Sequence, residues 1–173
     1  MDELNLYNKL GDGMKKIGIF GGSFNPPHKM HIDIMLTLLN KQCVDKVYFV
    51  PTGSKYKYKN NLLSDNNRLD MLNIIADKYD NIEVSDYELK DEVVYTCDTL
   101  AYFKSLFPDD EIYFICGADN LSYVDEWKTG VELLKKYKFL VIDRKDNNLD
   151  ELLKKYSEFK DNIIIAPIEL VNI

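Results

Sequence analysis

Six short runs dense in Ile, Val, Phe and Tyr recur along the chain: KKIGIF, DKVYFV, NIEVSD, EIYFIC, KFLVID and NIIIAP, each bounded by charges or turn residues. Runs of this length and composition predict strands. Between them, IDIMLTLLNK, RLDMLNIIADKY, DTLAYFKSLF and NLDELLKKYSEF carry apolar residues at helical spacing, with Asp, Ser or Asn near several starts, and predict helices. Strands alternating with helices long enough to return along a sheet predict an α/β domain: a mainly parallel sheet with helices on both faces. In such sheets ligands sit beyond the carboxyl ends of the strands, which directs attention to the loops that follow them.

At 173 residues the chain is long enough for one domain with a core that needs no disulfide or metal staple. Residues 1 to 13 end in GDG and read as a leader or extension, with Met14 as an alternative start, and 14 to 173 as the domain. Hydrophobic residues at 46% and charged residues at 29% are the balance of a globular protein. No apolar run approaches the ~20 residues of a membrane span, and MDELNLYNKL lacks the regions of a secretory signal, so a cytoplasmic location is expected. Cys43, Cys97 and Cys116 are odd in number and widely spaced, which suggests reduced thiols on apolar faces. A net charge of −7 argues against a nucleic-acid or membrane-surface partner but not against a small anion, and local positive charge gathers in SKYKYKNN, where Lys55, Lys57 and Lys59 alternate with tyrosines.

The densest chemistry lies in GIFGGSFNPPHKMH, residues 18 to 31, which holds both histidines of the chain. Gly21 and Gly22 follow the first strand and let the backbone bend sharply and approach a ligand. The spacing is not that of a GxGxxG fingerprint; instead Asn25, Pro26 and Pro27 set up a turn into a helix. His28 and His31, three apart, share a face at the amino end of that helix, where free N–H groups and the helix dipole favour an anion. Imidazoles placed there donate hydrogen bonds to phosphate oxygens and stabilise charge growing on a bridging oxygen. Two competing readings are a metal site and a pair of capping residues; the first lacks a third histidine or a Cys cluster, so no protein-only metal site is expected.

At these residues the sequence resembles the nucleotidyltransferases with a (His/Thr)-x-Gly-His signature, and most closely the bacterial nicotinate-mononucleotide adenylyltransferases. The resemblance continues in order through VPTG, NRLDML, VYTCDTL, FICGADNL, EWK and LVIDR. It implies a Rossmann-like, doubly wound sheet and the reaction of ATP with nicotinate mononucleotide to nicotinate adenine dinucleotide and pyrophosphate. The resemblance also implies direct attack on the α-phosphorus, with Mg²⁺ carried by ATP. Position by position it implies Gly21, Gly22, Ser23 and Phe24 along the nucleotide, with Phe24 equally readable as a core aromatic, and His28 and His31 as the catalytic pair at the phosphates. Gly117 and Asp119 would contact the adenosine portion. Tyr95, Thr96 and Trp127 would form the nicotinate pocket, with Arg144 at the substrate phosphate or in a surface ion pair.

Three departures from the family pattern stand out. Met30 occupies the signature's Gly position, so its side chain either turns aside or crowds the nucleotide. SKYKYKNN replaces a Pro-Pro-His-Lys segment, which moves phosphate contacts to Lys57 or Lys59. The chain ends at PIELVNI, where a Ser-Ser-Thr-x-Ile-Arg segment would begin. Since one lost donor costs about a hundredfold or more in rate, a longer parent protein and poor turnover by these 173 residues are expected. The alternatives are a nucleotidyltransferase for another phosphate acceptor and a noncatalytic nucleotide-binding module; a homo-oligomer or a further domain in the parent chain is left open.

Overall fold

The computed structural model describes residues 14–53, 63–143 and 149–168. All six predicted strands form: β1 Lys16–Gly22, β2 Lys46–Pro51, β3 Ile82–Val84, β4 Glu111–Gly117, β5 Lys138–Ile142 and β6 Ile163–Ile165. They pair in one sheet of order β3-β2-β1-β4-β5-β6, every pair parallel. The chain therefore winds outward from β1 to β3, returns to the other side of β1, and winds outward again. This is the expected doubly wound Rossmann-like order, and its reversal opens a crevice where the chain leaves β1 and β4 in opposite directions.

Strand residues alternate between two apolar layers because successive side chains point to opposite faces. On β4, Ile112, Phe114 and Cys116 join one cluster, and Tyr113 and Ile115 the other; on β5, Phe139 and Val141 oppose Leu140 and Ile142. Both faces being covered explains why these strands read as continuous apolar runs rather than alternating ones.

The layer of Tyr113 and Ile115 lies under helix α1, Lys29–Asn40, through Ile34, Met35 and Leu38, and under α2, Asp65–Ala76, through Leu72 and Ala76. The other is closed by Leu100 and Phe103 of α3, Thr96–Leu106, by Leu121 of α4, Ala118–Leu121, and by Leu133 and Leu134 of α5, Gly130–Lys136. The predicted last helix is two pieces: α6, Leu149–Lys155, followed by a 3-10 turn over Ser157–Asn162. The sequence pattern did not anticipate α4 and α5, because four and seven residues are too short to display a helical period.

Burial also settles one thiol. Cys116 is enclosed in the sheet core, and loss of hydration pushes its pKa up to about 12. A thiol held protonated in this way is inert. Among the described residues no helix is long and apolar enough to cross a membrane.

Candidate active site

The turn after β1 is built around Phe24. Its φ of 46° is left-handed, a conformation that costs an ordinary L-residue about 1–2 kcal/mol. Its ring folds back into the core, only 3% exposed, and meets Phe20, Phe49 and His31 edge-on at centroid distances of 5.5, 5.3 and 5.0 Å. Gly22 makes room for this, since a Cβ there would lie 3.2 Å from Phe24 Cζ. Phe24 is thus the core aromatic of the two sequence readings, while still contributing to the cavity wall. The Asn25–Pro26 peptide is cis, and the chain passes through Pro27 to His28, the N-cap of α1.

His28 and His31 stack with ring centroids 4.2 Å apart and 24° between planes. The N–H of His28 donates to Nδ1 of His31 at 3.1 Å. A ring nitrogen that accepts carries no proton, so the His31 proton sits on Nε2 and that edge is the donor. His31 is half-buried between His28 and Phe24, whereas His28 is exposed. Together with Gly21, Gly22, Ser23 and Asn25, the two rings line a cavity of about 320 Å³. Among the described residues its wall holds no carboxylate. It therefore offers N–H donors to phosphate oxygens rather than oxygen ligands to a hard cation.

Met30 does not line this cavity; its side chain packs against the apolar layer beneath α1. Of the two outcomes expected for a side chain at that position, it turns aside.

Gly117 and Asp119 stand at the neighbouring strand end. β1 and β4 are paired through Phe20 and Ile115, so Gly22 and Gly117 each lie two residues further along on adjacent strands. Asp119 is exposed, and its carboxylate folds over Gly117, where a Cβ would come within 2.5 Å of Oδ1. A side chain at 117 would displace that carboxylate from its present position.

A third group gathers at the start of α3. Tyr95 is the N-cap, and its N–H donates to Oδ2 of Asp98 at 3.1 Å. The ammonium of Lys128 lies 4.8 Å from the centroid of the Tyr95 ring. The adjacent Trp127 is half-buried and meets Phe114 of β4 edge-on at 6.0 Å. One indole edge is thus used in packing. Lys57, Lys59 and Arg144 lie outside the described residues.

Arg68 and Lys128 were not among the candidates read from the sequence. A signal for the first existed: Arg68, Leu72 and Ala76 follow at spacings of four, placing a charge on the stripe α2 buries. Lys128 carried no such mark, because its relation to Tyr95 arises only when α3 and the segment before α5 meet.

A family model described as cytidylyltransferase-like matches residues 19–169. The chain belongs to that family. Within the family it is 36% identical over 166 residues to a Clostridium tetani protein named "Probable nicotinate-nucleotide adenylyltransferase", covering 92% of this chain and 83% of that one. A Fusobacterium nucleatum protein of the same name is 38% identical over 160 residues, covering 91% and 82%. Among solved structures, the Plasmodium falciparum nicotinic acid mononucleotide adenylyltransferase complexed with NaAD superposes with a TM-score of 0.77 at 24% identity, over 91% of this chain and 77% of that one. That likeness bears on the fold, and it agrees with the doubly wound order.

Proposed function

We propose that this cytidylyltransferase-like chain transfers AMP from ATP to nicotinate mononucleotide, giving nicotinate adenine dinucleotide and pyrophosphate in NAD biosynthesis. The stacked His28–His31 pair at the amino end of α1, sharing one cavity with the glycine bend, is the observation that carries the reading. The relatives named above supply the choice of acceptor.

In this reading an oxygen of the mononucleotide phosphate attacks the α-phosphorus of ATP. The bond to the α,β-bridging oxygen breaks, and pyrophosphate leaves with the electron pair. No proton has to be removed from the nucleophile, so the site works by positioning and by stabilising charge. His28 and the Nε2–H of His31 donate to the phosphates, Gly21 to Phe24 lie along the nucleotide, and Asp119 accepts hydroxyls of the adenosine portion. Tyr95, Thr96 and Trp127 receive the pyridine ring. Lys57, Lys59 and Arg144 are assigned to phosphate contacts. Mg²⁺ enters on the triphosphate, since the cavity wall supplies donors. The setting proposed for this chemistry is the cytoplasm, with ATP and nicotinate mononucleotide as partners and no nucleic acid or membrane.

Pyrophosphate release with ATP and nicotinate mononucleotide, with the dinucleotide identified as product, tests the reading alongside calorimetric titration with ATP and with the dinucleotide. Binding of ATP and of the dinucleotide is expected, with nicotinate adenine dinucleotide as the product of any turnover, however slow. Indifference to nicotinate mononucleotide together with turnover of another phosphate acceptor would overturn the choice of substrate. ATP binding with no transfer to any acceptor would leave a nucleotide-binding module.

A further inference from the structure

Arg68 is the largest side chain wholly removed from solvent in the described residues, at 0% exposure. A guanidinium is buried this deeply only when its donors are used. Here they converge on the approach to the cavity: Nη1 donates to the carbonyl of Ser23 at 2.9 Å, Nε to the carbonyl of Leu63 at 3.0 Å, and Nη2 to Oδ1 of Asp65 at 2.7 Å. A second tie runs beside it, from the N–H of Leu63 to Oδ1 of Asn25 at 2.7 Å. The residues on either side of Phe24 are therefore both fastened to the start of α2.

This matters because Phe24 is left-handed, and such a conformation in a bulky residue persists only where the surroundings over-determine it. Its ring is wedged among Phe20, Phe49 and His31, and its backbone is clamped from the α2 side. The planar fork of an arginine reaches three acceptors at once; a lysine ammonium on a flexible stem does not reproduce that geometry.

We infer that Arg68 is a positioning residue for the nucleotide: its guanidinium holds the Ser23–Asn25 turn in the conformation that lines the cavity, so that affinity for ATP, and not stability alone, depends on it. This rests on the cavity being the triphosphate site.

Titration of the full chain with ATP and Mg²⁺, for the parent, Arg68→Lys, Arg68→Met, Asp65→Ala and Leu72→Ala, separates the outcomes. Leu72 is buried on the same stripe of α2 and serves as the control for lost packing. Arg68→Lys and Arg68→Met are expected to weaken ATP binding about tenfold, because a misplaced turn shifts the donors by a fraction of an ångström or more. Asp65→Ala, which leaves the cavity wall unaltered, is expected to act in the same direction if Arg68→Met does not fold. Leu72→Ala is expected to lower the melting temperature while the folded protein binds ATP as the parent does. Absence of ATP binding by the parent would sink the reading of the cavity. Parent-like affinity in Arg68→Lys and Asp65→Ala, or an equal loss in Leu72→Ala, would sink the positioning role while leaving that reading intact.

Discussion

The hydroxyl of Thr99 donates to Oε2 of Glu88 at 2.6 Å, joining the segment after β3 to the first turn of α3. Glu88 also lies close to the exit of β2, where a Cβ on Gly53 would come within 2.5 Å of its carbonyl oxygen. Burial pushes the Glu88 carboxyl up to about 7; the Thr99 hydrogen bond opposes this, and the neighbouring Asp98 carboxylate adds to it.

A stability change with pH follows. Because the folded-state value lies above the ordinary 4.5, the folded protein holds this proton more tightly than the unfolded chain does. The contribution is fully present below about pH 4.5 and is lost as pH rises to about 7, on the order of 3 kcal/mol in all. Glu88→Gln is expected to remove that slope. Denaturant titrations of both proteins at pH 5 and pH 8 check it; parallel pH dependences would refute the assignment.

The two histidines are expected to separate in stability but not in rate. His28→Ala and His31→Ala should each lower turnover by about a hundredfold to a thousandfold if both donate to the phosphates in the transition state. His31→Ala should also lower stability by about 1 kcal/mol, since it removes the acceptor of the His28 N–H, whereas exposed His28 should leave melting unchanged. Pyrophosphate release and thermal melting read the two effects. Parent-like turnover in either variant would remove that ring from the mechanism.

Trp127 is the single tryptophan, so its fluorescence reports on one place. If the pyridine ring stacks on the indole, nicotinate mononucleotide should quench that emission, and Trp127→Ala should raise the KM for the mononucleotide about tenfold to a hundredfold. Trp127→Phe keeps an aromatic partner for Phe114 and should lose less of both affinity and stability. An unchanged KM in Trp127→Ala would return the residue to a purely packing role.

Met30 is expected to act on the fold rather than on the ligand. Because its side chain packs beneath α1, Met30→Gly should cost about 1–2 kcal/mol from lost contacts and helix propensity. Affinity for ATP should not change. Tighter ATP binding by Met30→Gly, measured by calorimetry, would show that the methionine crowds the nucleotide.

The strand runs, the glycine bend and the histidine pair were legible in the linear sequence because each depends on near neighbours: apolar patterning reports burial, glycine reports backbone freedom, and a spacing of three on a helix puts two side chains on one face. The alternation of elements likewise implied a parallel sheet. What tertiary structure alone decided depends on contacts between distant segments. The sheet order that sets Gly22 beside Gly117, the reach of Arg68 to Ser23 across 45 positions, the meeting of Lys128 with Tyr95, and the direction taken by Met30 all belong to that class. A residue's type restricts the partners it can satisfy, but only the folded chain brings one of them within hydrogen-bond or van der Waals distance.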